Sequence, residues 1–101
     1  MNFADLTIDT AKQYVGNAFS IAMVDDTNLE LTLTEVTRLP TGPGDTAALG
    51  FSLTFHGPSE PMLDQGTYGL GHEDSEPQPV FLVPVANDAA GTSYEAIFTR
   101  L

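Results

Sequence analysis

The side chains best equipped for chemistry lie close together in one stretch. His72 is followed by Glu73 and Asp74, preceded by Tyr68 four residues back, and Gln65 opens the same run. An imidazole titrates near neutral pH, so a histidine beside carboxylates has the makings of a proton shuttle or of half a metal site. One histidine with adjacent acids is still not a metal-ligand spacing of known specificity. The plainer alternative is a strand-end histidine whose ring covers the rim of the core while its nitrogens bond to turn backbone. Gln65, Tyr68, His72, Glu73 and Asp74 are therefore the candidate ligand- or partner-binding residues, with no catalytic or metal set among them. Gly66, Gly69 and Gly71 surround Tyr68 and Leu70 in this run. Glycines in a strand leave a bare face for a packed helix or for a partner strand.

The remaining inventory is thin. There is no cysteine, no Gly-x-Ser-x-Gly elbow, no Gly-x-x-x-x-Gly-Lys loop and no His-Glu-x-x-His pair. His56 falls on the polar phase of its strand beside Gly57-Pro58, which reads as a solvated strand end. Asp26, Asn28 and Glu30 alternate as oxygen ligands do at the start of a calcium loop, but Leu31 stands where the sharp-turn glycine belongs. That segment is better read as a hairpin turn. No enzyme and no cofactor is expected.

Charge narrows the partners further. The chain has 101 residues, 14 acids against 3 bases, a formal net charge of -11 and a pI near 4.1. Nucleic-acid affinity rests largely on lysine and arginine displacing counterions, and only Lys12, Arg38 and Arg100 are present. No apolar run approaches the roughly 20 residues needed to span a bilayer, and anionic membrane surfaces repel an acidic chain. The segment opening at Met1 has no basic region followed by an apolar stretch, so cytoplasmic residence is the default expectation.

These candidates need elements to position them. Residues 6–16 predict a short helix, with Thr7 as N-cap, Ile8, Ala11, Tyr14 and Val15 on one side, and Gly16 at its C-terminal end. From residue 18 onward the pattern is strand and turn. Residues 18–24 are apolar, Asp25 to Asn28 supplies turn chemistry, and Leu29, Leu31 and Leu33 alternate with polar residues before the phase slips at Val36. A β-bulge at residues 34–36 explains the slip. Residues 40–46 read as a loop. Leu49, Phe51, Leu53 and Phe55 then alternate cleanly, residues 65–71 form a strand with Tyr68 and Leu70 on the core side, and residues 80–85 are apolar on both faces. The last run predicts a strand covered on both sides, with Pro84 where no ladder donor is needed. The last strand runs from Tyr94 to Leu101. The sum is one domain over residues 1–101, all-β and mostly antiparallel, a small six-stranded barrel or sandwich with one short N-terminal helix.

In residues 51–58, 63–72, 80–85 and 94–100, together with Tyr14-Val15-Gly16 and Phe19, the chain resembles an uncharacterised family of small bacterial β-rich proteins, a numbered domain of unknown function. The resemblance covers nearly the whole chain. It implies a β-rich fold without assigned catalysis, and occurrence beside phage-tail-like or surface-appendage genes, hence an accessory or assembly role. The acidic stretch at residues 73–79 departs from the shorter turn expected there. The leading expectation is a non-enzymatic structural or interaction module. It would meet a protein partner, or a second copy, through the edge of the Tyr94–Leu101 strand. The alternative is a small-ligand barrel, for a sugar or a cation, with its site near His72.

Overall fold

The computed structural model describes residues 6–23, 28–38, 50–60, 62–72 and 77–99. The expected turn at Asp25, Asp26 and Thr27, the loop at residues 40–46, the acidic pair Glu73 and Asp74, and Arg100 and Leu101 lie outside them.

Thr7 caps the helix as its sequence position requires, its Oγ1 accepting from the Thr10 backbone N–H at 3.2 Å. The helix, α1, spans Ile8–Lys12. It is shorter than the expected two turns because the backbone tightens. Gln13, Tyr14 and Val15 donate to the carbonyls three residues back, at Thr10, Ala11 and Lys12. A period of 3.0 keeps Ile8, Ala11 and Tyr14 in line but swings Val15 off that face. Val15 is accordingly exposed, and Ala11 is fully buried. Gly16, at φ 96°, reverses the chain, and its N–H donates to the Leu33 carbonyl at 2.7 Å. The Leu33 N–H donates back to Asn17 at 3.1 Å. Those two bonds fasten the helical turn to the strand below it.

Six strands follow: β1 Ala18–Ala22, β2 Asn28–Arg38, β3 Gly50–Gly57, β4 Gly66–Gly71, β5 Gln78–Asp88 and β6 Gly91–Thr99. They close into an antiparallel barrel in the order β1-β2-β3-β6-β5-β4. The expected bulge is present, since the β2–β3 register shifts between Leu33 and Glu35. A second shift falls in β5 between Pro84 and Ala86, so the proline sits where the ladder is already interrupted. The barrel closes through a short seam, with only Ser20 opposite Gly71 and Ile21 opposite Leu70.

Alternation fills the interior. Phe19, Ile21, Leu31, Leu33, Leu53, Phe55, Leu70, Leu82 and Tyr94 are each 2% exposed or less. Tyr94 is the polar exception, and its hydroxyl accepts from the Leu63 backbone N–H at 2.9 Å, which satisfies both groups in the dry interior.

Two expectations need correction. Residues 80–85 are not covered on both faces: Val80 and Leu82 point inward, while Phe81 is 52% exposed and Val85 54%. A closed single-walled barrel has no second layer to cover an outer face. The last strand is a free edge only in part. β6 pairs with β3 from Gly57 opposite Thr92 to Gly50 opposite Thr99, and with β5 from Gly91 to Glu95. Closure therefore takes the expected edge at Tyr94 and Glu95, while residues 96–99 of β6 pair with β3 alone.

Candidate functional site

The β4 candidates lie where the phase put them, but each is engaged differently. Gln65 is exposed just before the strand. Tyr68 is half-buried against the core, and its hydroxyl donates to the Asp64 carbonyl at 2.6 Å. Burial, reinforced by the Asp64 charge and by Tyr94, pushes the Tyr68 phenol above its ordinary value of 10.0. Leu70 is buried between Tyr68 and His72 in the sequence. Glu73 and Asp74 lie outside the described residues.

His72 is buried, with 7% of its surface exposed. Its ring meets Tyr14 edge-on at 5.2 Å and 86°, and lies tilted over Phe19 at 4.7 Å and 32°. Phe19 in turn meets Phe55 edge-on at 5.4 Å. The histidine therefore belongs to an aromatic column running from the turn after α1 into the barrel. This geometry stabilises packing by offset and edge contacts. No hydrogen bond to its ring nitrogens comes from any described residue. The bare face beside it is closed only at Gly71, which is buried and where a Cβ would lie 3.5 Å from the Ser20 hydroxyl; Gly69 is exposed, although a Cβ there would lie 3.3 Å from Pro77. Among the described residues, β1 and Pro77 lie against Gly71, and no helix does.

The other histidine is not a solvated strand end. His56 is half-buried, and its ring lies so close over Gly91 that an added Cβ there would sit 2.5 Å from it. Gly91 holds φ at 142°, so this turn needs glycine both for its backbone and for the imidazole above it.

The feature that sequence reasoning missed lies on the outer wall. Phe81, Val85 and Ile97 are each more than half exposed, and Met62 nearly so. Val83 lies opposite Glu95 at the end of the β5–β6 pairing, and Phe81 and Ile97 stand two residues beyond that pair on their own strands, opposite Thr67 and Ser52. Met62, Pro84, Val85, Ala86 and Asn87 line an open groove of about 270 Å³. The fold holds this groove in shape. Tyr94 pins Leu63 next to Met62 from the inside. Asn87 donates from Nδ2 to Thr92 Oγ1 at 2.6 Å and to the Ser59 carbonyl at 3.1 Å, tying the end of β5 to the segment that leads to Met62. The bulge at Val85 turns that side chain out of the ladder. A signal for this surface was available: Ile97 stands on the polar phase between Ala96 and Phe98, as Phe81 does between Val80 and Leu82.

A family model described as Domain of unknown function (DUF6916) matches residues 6–98. The chain belongs to that family. No curated protein and no solved structure matches it. The DUF6916 match takes in α1, all of β1 to β5 and nearly all of β6, so the barrel wall and its outer groove lie inside the family's bounds. No helix among the described residues is long and apolar enough to cross a membrane.

Proposed function

We propose that this DUF6916 chain is a non-enzymatic interaction module, an accessory or assembly component of a larger protein structure such as a phage-tail-like or surface-appendage complex. One observation carries the reading: Phe81, Val85 and Ile97 stand more than half exposed on the outer wall of β5 and β6. Large apolar patches on a soluble fold are uncommon and mark contact surfaces. The test is to replace Phe81 by the photo-crosslinking residue p-benzoylphenylalanine in the native host, with the same replacement at exposed Asp9 as control. A single protein adduct identified by mass spectrometry at position 81, absent at position 9, supports the reading. Failure to cross-link at position 81, or the same adduct at position 9, overturns it.

A second reading, a sugar or cation site near His72, draws on the burial of that ring without a hydrogen-bond partner among the described residues. Titrating calcium and a monosaccharide against the His72 ring protons by NMR tests it, and unmoved resonances remove it.

A further inference from the structure

We infer that the β5–β6 wall docks a basic-rimmed apolar segment of another protein, seated with one anchor side chain in the groove beneath Met62. The inference rests on the interaction-module reading and names the partner's chemistry. The apolar part of the recognition is Phe81, half-buried Val83 and Val85 on the outer side of β5 and Ile97 on that of β6, with Met62 and Val85 both lining the groove. At about 270 Å³ and open to solvent, the groove falls below the roughly 300–1,000 Å³ typical of small-molecule pockets. It suits a single side chain inserted from a flat partner, the arrangement in which interface anchors concentrate binding energy.

Charge selects which apolar partner. Glu95 sits on the outward phase directly opposite Val83, Asp88 closes the far end of β5, and Glu60 precedes the Met62 segment. Neither β5 nor β6 carries a described lysine or arginine. The two described bases are elsewhere, Lys12 on α1 and Arg38 on β2. A second copy would bring another -11 against this rim, so self-association through the face is opposed by like charge. Lysines or arginines flanking the anchor would face Glu95, Asp88 and Glu60 favourably. The same acids repel an acidic partner of equal hydrophobicity.

The probes are three synthetic peptides of equal length: alternating lysine and valine, alternating glutamate and valine, and lysine alone. Each is titrated into the isotope-labelled chain and followed by backbone-amide NMR. The lysine–valine peptide is expected to shift amides of residues 62, 81–87 and 95–97. Its binding should weaken at least tenfold in the double variant F81S/I97S, at least tenfold between 50 and 500 mM salt, and severalfold in E95K. Circular dichroism confirms that each variant is folded, and Phe81→Lys is the substitute should the double variant fail to fold. Lysine alone should bind more weakly and without the localised shifts.

Equal binding of the glutamate–valine peptide, or shifts centred on β4, overturns the inference while leaving the interaction-module reading in place. A dimer in sedimentation that F81S/I97S dissolves does the same, since the face would then be a self-interface. No shift with any peptide overturns the basic-partner inference by itself, and the interaction-module reading falls only if the cross-linking at position 81 also fails.

Discussion

In β3, Phe51, Leu53 and Phe55 point inward, and the outward positions between and beyond them hold Ser52, Thr54 and His56. In β5, Val80 and Leu82 point inward in the same way, but the outward side carries Phe81, Val83 and Val85. Both strands are walls of one barrel, each flanked by two neighbours, so the fold asks the same of both. β3 carries the minimum that this demand explains. β5 carries more, and the surplus faces water. A buried side chain is almost always apolar, but an apolar side chain need not be buried; a run apolar on both faces is covered by a second layer or stands partly in water, as the proposed contact surface does. Here closure into a barrel leaves no second layer.

The contrast can be broken at the inward face first. Phe55→Ala removes a fully buried ring that also stacks edge-on with Phe19, and should cost about 3–5 kcal/mol in urea unfolding. A smaller loss would mean that the β3 face is looser than its burial implies.

Tyr94→Phe keeps the ring but leaves the buried Leu63 N–H unpaired, for an expected loss of about 1–3 kcal/mol. It also sharpens the link between core and groove. The amides of residues 62–64 should shift in the NMR spectrum of the variant while those of α1 stay in place.

Thr54→Val makes the outer face of β3 more like that of β5. Because Thr54 itself is only half-buried, its stability should stay within about 0.5 kcal/mol of the parent, as surface substitutions do. A gain of several degrees in melting temperature would show that apolar side chains on the outer wall do support the fold.

The smallest effect concerns Tyr68. Its raised phenol binds its proton more tightly in the folded chain than in the unfolded one. The associated stability is therefore fully present below pH 10 and is lost as pH rises through the folded value. Tyr68→Phe gives up an exposed hydrogen bond to the Asp64 carbonyl, so it should cost no more than about 0.5 kcal/mol at pH 7 and flatten the decline above pH 10. An altered slope near neutrality would contradict the assignment.

Much of the architecture was legible because it follows from local rules. The slip at Val36 announced the first bulge, Pro84 announced an interruption in β5, and Thr7 and Gly16 bounded the helical turn. What was not legible depended on closure. Tyr94 and Glu95 read as part of a free edge because nothing local says that the start of β6 lies between β3 and β5. Residues 80–85 read as doubly covered because hydropathy alone does not distinguish a second layer from a docking partner. His72 was placed on the right face, yet its neighbours Tyr14 and Phe19 come from distant parts of the chain, so its aromatic setting could not be read from Glu73 and Asp74 beside it. The candidate set was assembled by sequence proximity, whereas the exposed apolar side chains come from two strands that the fold sets side by side.

The central claim is that Phe81, Val85 and Ile97 serve a partner and not the fold, and urea unfolding of F81S/V85S/I97S tests it most directly. The expected result is an unchanged m-value and a total loss of no more than about 1.5 kcal/mol, three times the usual surface effect. A loss of about 5 kcal/mol or more, the scale of buried truncations, would contradict it by showing that the chain packs these side chains itself.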